Sequence, residues 1–220
     1  MSKIFCLIIL FCFTIISETD VKAQVDYEPE SSLRVELGLP AVLEVSTNKG
    51  FRDLMQGLAN LSIGFQRTFD NHFSIGLGGR YVLFNVNEFR NNFDLSGQLH
   101  FVGAYGRVGF EKYYGNLGVD FGVKAGYAFN ISNMNTCIDI NGEPSITEGG
   151  FIEPNFSMQY LVNESNAFTL FNVAYAFHSM RFTPNTVCVE DFPGLNDNDV
   201  SNRTSYLTLG FGYTHFFGRD

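Results

Sequence analysis

The stretch Arg203–Phe217 reads RTSYLTLGFGYTHFF. One alternate set of its residues is large and apolar and consists of Leu207, Leu209, Phe211, Tyr213 and Phe217. The other set is mostly small or polar and contains Tyr206, Thr208, Gly210, Gly212 and Thr214. Because neighbouring side chains of a β-strand point to opposite faces of the sheet, this pattern predicts a strand with one apolar and one polar face.

The same alternation recurs seven times upstream, with no helical segment between the strands to cover their apolar faces. Lipid is the simplest cover, so the chain predicts an all-β, eight-stranded antiparallel transmembrane barrel. The seven upstream strands are expected at about 33–45, 58–69, 73–84, 95–111, 117–131, 150–162 and 167–182. Pro40 lies within the first of these and predicts a bulge or bend there.

The fourth predicted strand changes its facing along its length. Leu99 and Phe101 belong to one alternate set, whereas Val108 and Phe110 belong to the other. The pattern therefore predicts a β-bulge between residues 102 and 106, where glycines are frequent.

The predicted connections alternate between long and short. Outer-membrane barrels have long loops outside and short turns in the periplasm. Since the first connection is long, both termini are expected in the periplasm. The long connections are 46–56, 85–94, 132–148 and 183–202, and the short ones are 70–72, 112–116 and 163–166.

Residues 1–23 have the three parts of a secretory signal peptide: a basic start, an apolar run and a small-residue end at Ala23. The mature domain is then 24–220. Removing the signal takes away two basic and two acidic residues, so the net charge stays at −9. An acidic chain is unsuited to nucleic acid, which needs a basic surface.

Two of the four cysteines, Cys6 and Cys12, lie in the signal segment. Cys137 and Cys188 remain and fall in the third and fourth long loops. In an exported chain this pair predicts one disulfide that joins the two loops.

Eight charged residues have lumen-facing parity, four of each sign. They could form an ion-selective constriction, but an eight-stranded barrel is just wide enough for its own side chains to fill. Buried charges also need partners, so we expect a filled lumen in which Arg80 and Lys124 pair among Glu36, Asp120 and Glu153. The eight are Arg34, Glu36, Glu44, Arg80, Arg107, Asp120, Lys124 and Glu153.

Other candidate sites are weaker. Asp197-Asn198-Asp199 resembles a fragment of a calcium loop but lacks its glycine and distal glutamate, so a solvated surface is the better interpretation. His178 and Ser179 are adjacent on a strand and point to opposite faces, which disfavours a serine hydrolase. No cofactor, metal site or catalytic group is predicted.

Aromatic and histidine residues add three expectations. His72, His100 and His215 are interpreted as turn, lumen and interface residues. Phe51, Phe93 and Phe192 are loop aromatics that could stack on carbohydrate. A girdle at the two lipid–water interfaces could draw on Tyr105, Tyr113, Tyr114, Tyr127, Tyr175, Tyr213, Phe216 and Phe217.

The signal peptide, the Gly-Phe-Gly-Tyr strand segment and the aromatic last strand resemble those of the small eight-stranded outer-membrane barrels, called OmpA/OmpX-like or PorT-like. The resemblance covers nearly all of the mature chain. It implies that the last strand is the signal read by the barrel-assembly machinery, with Tyr213 and Phe217 at its aromatic positions. Gly218-Arg219-Asp220 extends beyond the usual terminal Phe.

The resemblance also implies a non-enzymatic role in envelope integrity, adhesion or an outer-membrane secretion or assembly complex. Outer-membrane lipid and other outer-membrane proteins are the implied partners. Two alternatives remain open: a narrow passive pore, and a lipid-modifying enzyme at the rim.

Overall fold

The computed structural model describes residues 30–43, 48–87, 95–137, 145–192 and 194–218. The predicted signal peptide and Glu44 lie outside these residues. Eight strands follow one another around a closed antiparallel barrel, and β1 pairs with β8 to close it. This confirms the predicted fold. The strands are β1 (Glu30–Ala41), β2 (Met55–Thr68), β3 (Phe73–Val86), β4 (Gly97–Tyr114), β5 (Leu117–Met134), β6 (Ser145–Asn163), β7 (Asn166–Arg181) and β8 (Arg203–Phe217).

The connections divide the barrel into two ends. The short ones, after β2, β4 and β6, lie at what we call the turn end, together with the start of β1 and the end of β8. Gly115 forms the turn after β4 with a φ of 60°, a conformation that glycine adopts without strain. The four longer connections lie at the opposite, loop end. Their short helices are α1 (Lys49–Leu54), a 3-10 helix (Pro184–Val187) and α2 (Asp197–Val200).

β4 corrects the sequence prediction. Its pairing with β5 is continuous from Gly97 to Tyr114, and its pairing with β3 is also unbroken, so the predicted bulge is wrong. Leu99 and Phe101 are fully buried and point into the barrel. His100 therefore faces outward, not into the lumen, and its Nδ1 lies 2.8 Å from the hydroxyl of Tyr81.

Irregular pairing occurs in other strand pairs, namely β2–β3, β6–β7 and β7–β8. Leu170 and Phe171 are consecutive on β7 yet both exposed, and the register between β7 and β8 shifts at this point. Pro40 lies beyond the last β1–β2 pair, at Gly38, so its missing N–H interrupts no ladder pair with β2.

Within the described ranges, no helix is long and apolar enough to span a membrane.

Candidate functional site

The lumen near the turn end contains four charged side chains that we call the lower layer. Arg34 on β1 reaches across the lumen to Glu111 on β4 and Asp120 on β5. Arg107 Nη2 donates to both oxygens of Asp120, at 2.6 and 2.8 Å. All four side chains are buried. Two positive and two negative groups make the layer neutral.

Glu111 is the member of this layer that the sequence prediction missed. Its carboxylate accepts hydrogen bonds from Gln66 at 2.8 Å, Thr68 at 2.7 Å and Tyr113 at 2.9 Å, besides its ion pair with Arg34. A carboxylate has about four acceptor positions. The buried charge is therefore both paired and hydrogen-bonded, as burial requires.

A second group of charges, the middle layer, lies on the loop-end side of the first. Lys124 Nζ lies 2.5 Å from Glu36 and 3.6 Å from Glu153. Arg80 Nη1 lies 2.7 Å from Glu153 Oε2, an ion pair without hydrogen-bond alignment. This layer is neutral as well. Arg80 and Lys124 thus pair with Glu36 and Glu153, whereas Asp120, also predicted as a partner, pairs with arginines of the lower layer.

Arg80 links the charged layers to the apolar part of the lumen. Its Nη2 donates to the hydroxyl of Tyr206 at 2.5 Å, and its guanidinium lies 4.6 Å from the ring centre of Phe151. The Nε2 of His178 lies 3.1 Å from the same Tyr206 hydroxyl. An arginine over an aromatic face is stabilised by the charge distribution of the ring.

The loop end of the lumen is filled by a cluster that we call the apolar plug. Phe51 of α1 is fully buried in it, with its ring centre 4.9 Å from that of Phe84 and 5.5 Å from that of Phe182. Sequence reasoning missed this cluster because its strand residues were assumed to face lipid or polar lumen. Besides these three, its members include Leu54, Met55, Val82, Val86, Leu95, Leu99, Phe101, Met134, Met180, Val187, Phe192, Val200 and Tyr206.

Asn48 connects two of the loop-end connections above the plug. Its Nδ2 donates to the carbonyls of Phe182 at 3.2 Å, Val200 at 3.1 Å and Asn202 at 2.7 Å, while its Oδ1 accepts from the N–H of Phe51. One buried side chain thus caps α1 and joins the β1–β2 connection to the β7–β8 connection.

Two further links hold these connections together. A disulfide between Cys137 and Cys188, with Cα atoms 4.9 Å apart, joins the β5–β6 connection to the β7–β8 connection. Lys49 of α1 forms an ion pair with Asp199 of α2. The hydrogen bond from Lys49, together with one from the Asn196 backbone, lowers the pKa of the Asp199 carboxyl. We call the linked connections the cap.

The space left inside the barrel is small. Two cavities beside the charged layers have volumes of about 10 Å³ each, and Glu36 and Lys124 line both. A cavity of that size holds about one water molecule. Among the described residues, the two charged layers and the plug together extend from the turn end to the loop end of the lumen.

The outer face of the barrel is apolar on all eight strands. Leu77 is 68% exposed and Phe121 is 57% exposed, although both are large hydrophobic residues. A closed sheet without edges, with apolar side chains outside and polar ones inside, is stable in lipid. The chain is a transmembrane β-barrel of the outer-membrane type.

The predicted aromatic girdle is wrong at three positions, because the side chains of Tyr105, Tyr113 and Phe216 lie in the lumen. Tyr105 hydrogen-bonds Ser62, Tyr113 hydrogen-bonds Glu111, and the Phe216 ring packs on Tyr113. The other members of the predicted girdle have outward parity and are exposed or half-buried: Tyr114, Tyr127, Tyr175, Tyr213 and Phe217.

The structure separates the groups of the enzyme alternative. His178 is buried in the lumen, whereas Ser179 is exposed on the opposite face of β7. Phe51 and Phe192 are buried in the plug, so they are not available for carbohydrate stacking, and Phe93 lies outside the described residues.

Asp197 and Asp199 belong to α2, where Asp199 and Asn196 form a reciprocal capping box. Of the residues with described positions, no group of three His, Cys, Asp or Glu is arranged to hold a metal ion.

No protein-family model and no curated protein matches the chain. Three solved barrels are similar in structure. The attachment invasion locus protein Ail of Yersinia pestis is 9% identical, with 86% of this chain and 99% of that chain covered and a TM-score of 0.42. Neisserial surface protein A is 10% identical, with 87% and 100% covered and a TM-score of 0.49. The N-terminal β-barrel domain of OprF from Pseudomonas aeruginosa is 10% identical, with 86% and 100% covered and a TM-score of 0.39.

Proposed function

We propose that the protein is a non-conducting, non-enzymatic outer-membrane barrel with a structural or interaction role, which presents its linked cap to a partner. The observation that carries this proposal is the filled lumen. Two neutral layers of paired charges and an apolar plug follow one another from the turn end to the loop end, and this arrangement supports a lumen that is closed to ions.

The orientation belongs to the same proposal. Long loops lie outside and short turns in the periplasm in barrels of this kind, so the cap would be extracellular and both termini periplasmic. Tyr213 and Phe217 are exposed on the outer face of β8 at the turn end. That position supports their proposed role as aromatic positions read by the barrel-assembly machinery.

Planar-bilayer recording of the refolded protein tests the closed lumen. We expect no steady conductance from the wild type. The variant Phe51→Ala removes the central ring of the plug and leaves both charged layers intact. Its conductance, compared with that of the wild type, therefore isolates the contribution of the plug. Regular open events from the wild type would contradict the proposal and favour the passive-pore alternative.

Affinity purification from gently solubilised outer membranes, followed by mass spectrometry, tests the interaction role. The cap variant Asp191→Ala/Asp197→Ala changes two exposed acidic residues of the β7–β8 connection. The matched control Asp70→Ala changes an exposed acid in a turn-end connection. We expect a stoichiometric partner that the cap variant loses and the control retains. Equal recovery with all three proteins would contradict a cap-mediated interaction.

A further inference from the structure

The two cysteines of the cap disulfide have unequal surroundings. Cys137 is only 5% exposed and belongs to the apolar plug. Cys188 is exposed and caps the C-terminus of the 3-10 helix, directly after the buried Val187. A nucleophile in solution can therefore approach the disulfide from the side of Cys188, whereas packed side chains cover Cys137.

This difference in access decides which sulfur can be attacked. In thiol–disulfide exchange a thiolate attacks one sulfur, and the other sulfur leaves with the electron pair of the broken bond. Attack from solution on the Sγ of Cys188 makes Cys137 the leaving group. Attack on Cys137 would require the thiolate to enter the plug, where an unpaired charge is costly.

Ser132 provides a hydrogen-bond donor for the leaving sulfur. Its side chain is buried on β5, and its Oγ lies 3.7 Å from the Sγ of Cys137. A hydroxyl group can rotate to donate to a sulfur that gains negative charge. The leaving thiolate of Cys137 is thus buried but not without a donor.

The backbone of Cys188 also favours opening of the link. Its φ is 56°, in the left-handed region that residues with a Cβ adopt only at a conformational cost. The disulfide is one of the restraints that hold Cys188 in this conformation. Exchange at Cys188 removes that restraint and allows the backbone to relax.

The chain around Cys188 is acidic. Between Arg181 and Arg203, the β7–β8 connection contains four acidic residues and no basic one. Two of them, Glu190 and Asp191, follow Cys188 closely and are exposed. Such a surface repels anions and attracts cations over a screening length of about 8–10 Å at ordinary salt concentrations. The surroundings of Cys188 therefore disfavour a negatively charged thiol.

We propose that Cys188 is a site of thiol–disulfide exchange with a small external thiol of neutral or positive charge. The thiolate attacks the Sγ of Cys188, the bond between Cys188 and Cys137 breaks, and a new disulfide joins the thiol to Cys188. Cys137 leaves as a thiolate, accepts a hydrogen bond from Ser132 and then takes up a proton from water. One disulfide replaces another, so the step needs no further oxidant or reductant.

Exchange would open one link of the cap and leave the others in place. The hydroxyl of Thr136 donates to the carbonyl of Val187, and Asn48 donates to three carbonyls of the β7–β8 connection. Neither interaction involves the disulfide, and the plug lies beneath both. The thiols around the protein would thus control the covalent link between two connections while the lumen remains filled.

Glutathione diethyl ester, a thiol of net positive charge, is the first probe. The oxidised, detergent-refolded wild type is mixed with it, quenched with acid at early times, unfolded, alkylated and mapped by peptide mass spectrometry. We expect the first adduct on Cys188 in about tenfold excess over Cys137, at a rate proportional to the thiol concentration. In urea, where both cysteines are accessible, this preference should disappear.

Three results of this experiment would overturn the proposal. The first is an adduct that forms equally on both cysteines, or mainly on Cys137, in the folded protein. The second is a rate that does not depend on thiol concentration, because exchange would then require prior unfolding. The third is a preference for Cys188 that persists in urea, because it would not arise from the fold.

Unesterified glutathione tests the charge preference, since it is the same peptide with a net negative charge. At equal thiolate concentration and low salt we expect the ester to react about threefold faster, and the ratio should approach one at about 1 M salt. Equal rates of the two thiols at low salt would overturn the preference for a neutral or positive thiol.

Ser132→Ala tests the assignment of Cys137 as the leaving group. We expect this variant to react several-fold more slowly than the wild type, because the leaving thiolate loses its donor. The matched control Ser179→Ala removes an exposed hydroxyl on β7 and should leave the rate unchanged. Equal rates for the two variants would overturn the role of Ser132. The adduct map of the wild type decides the site of attack even if Ser132→Ala does not refold.

Discussion

Asp120→Asn should destabilise the barrel strongly although it changes the side chain's shape very little. Asp120 is fully buried and pairs with both Arg34 and Arg107. Loss of its charge leaves the lower layer with two cations against Glu111 alone. Removing one partner of a buried ion pair costs about 3–5 kcal/mol, because an uncompensated charge remains in a low-dielectric interior.

Urea unfolding in detergent micelles measures this effect. The chain contains no tryptophan, so far-UV circular dichroism and the mobility of the folded band on gels are the suitable probes. With a urea dependence of about 2 kcal/mol per molar, the midpoint should fall by about 2 M. Asp70→Asn, at an exposed turn position, should change it by no more than about 0.3 M.

A compensated variant separates charge balance from packing. Arg107→Met/Asp120→Asn removes one charge of each sign and leaves Arg34 paired with Glu111. Replacement of a whole buried pair is often close to neutral, so this double variant should recover at least half of the lost stability. If Asp120→Asn shifted the midpoint no more than Asp70→Asn, the idea that paired charges stabilise the lumen would be refuted.

Three further outcomes are expected. Phe121→Arg should lower the free energy of unfolding by about 2–4 kcal/mol because the side chain faces mid-bilayer lipid, whereas Phe121→Leu should not; equal stability of the two variants in lipid vesicles would refute that facing. Reduction should change the gel mobility of the mature protein, and Cys137→Ser/Cys188→Ser should cost at most about 4 kcal/mol for a loop of 51 residues; two free thiols in oxidised protein would contradict the link. The pKa of Asp199 is lowered in the folded protein, so its pairing with Lys49 stabilises the cap at pH values above the ordinary Asp pKa of 3.8. This contribution disappears as pH falls through the lower pKa of the folded state. The difference in unfolding midpoint between wild type and Lys49→Met should therefore shrink between pH 6 and pH 3, and an unchanged difference would count against the pairing.

The sequence predicted the barrel well where the lumen is polar. Along β5, apolar residues such as Phe121 alternate with small or charged ones such as Asp120, and the two faces can be told apart. The prediction failed where the lumen becomes apolar. Leu99 and Phe101 of β4 look like lipid-facing residues, because alternation cannot distinguish burial in lipid from burial in an apolar plug.

That single ambiguity had several consequences. It produced the false bulge in β4 and moved His100 to the wrong face. Glu111 was missed for a different reason: it has the same lumen-facing parity as Arg107, but it is the last residue of the predicted strand and borders the predicted turn. The facing of the other strands was sufficient to place most of the lumen charges, but their partners depend on which strands meet across the barrel, and the order of charges along one strand does not specify that.

The positive and negative charges within each of the two layers are equal in number only when β1 is in position. Without β1, the lower layer has one cation and two anions, and the middle layer has two cations and one anion. Arg34 and Glu36 are two residues apart on β1. Arg34 supplies the missing positive charge of the lower layer, and Glu36 supplies the missing negative charge of the middle layer. A slip of β1 by two residues toward the loop end would keep every apolar side chain in lipid but would bring Arg34 to the level of Lys124. The charged interior thus favours one register for the closure of the barrel by β1, whereas the lipid-facing surface alone does not distinguish registers that differ by two residues.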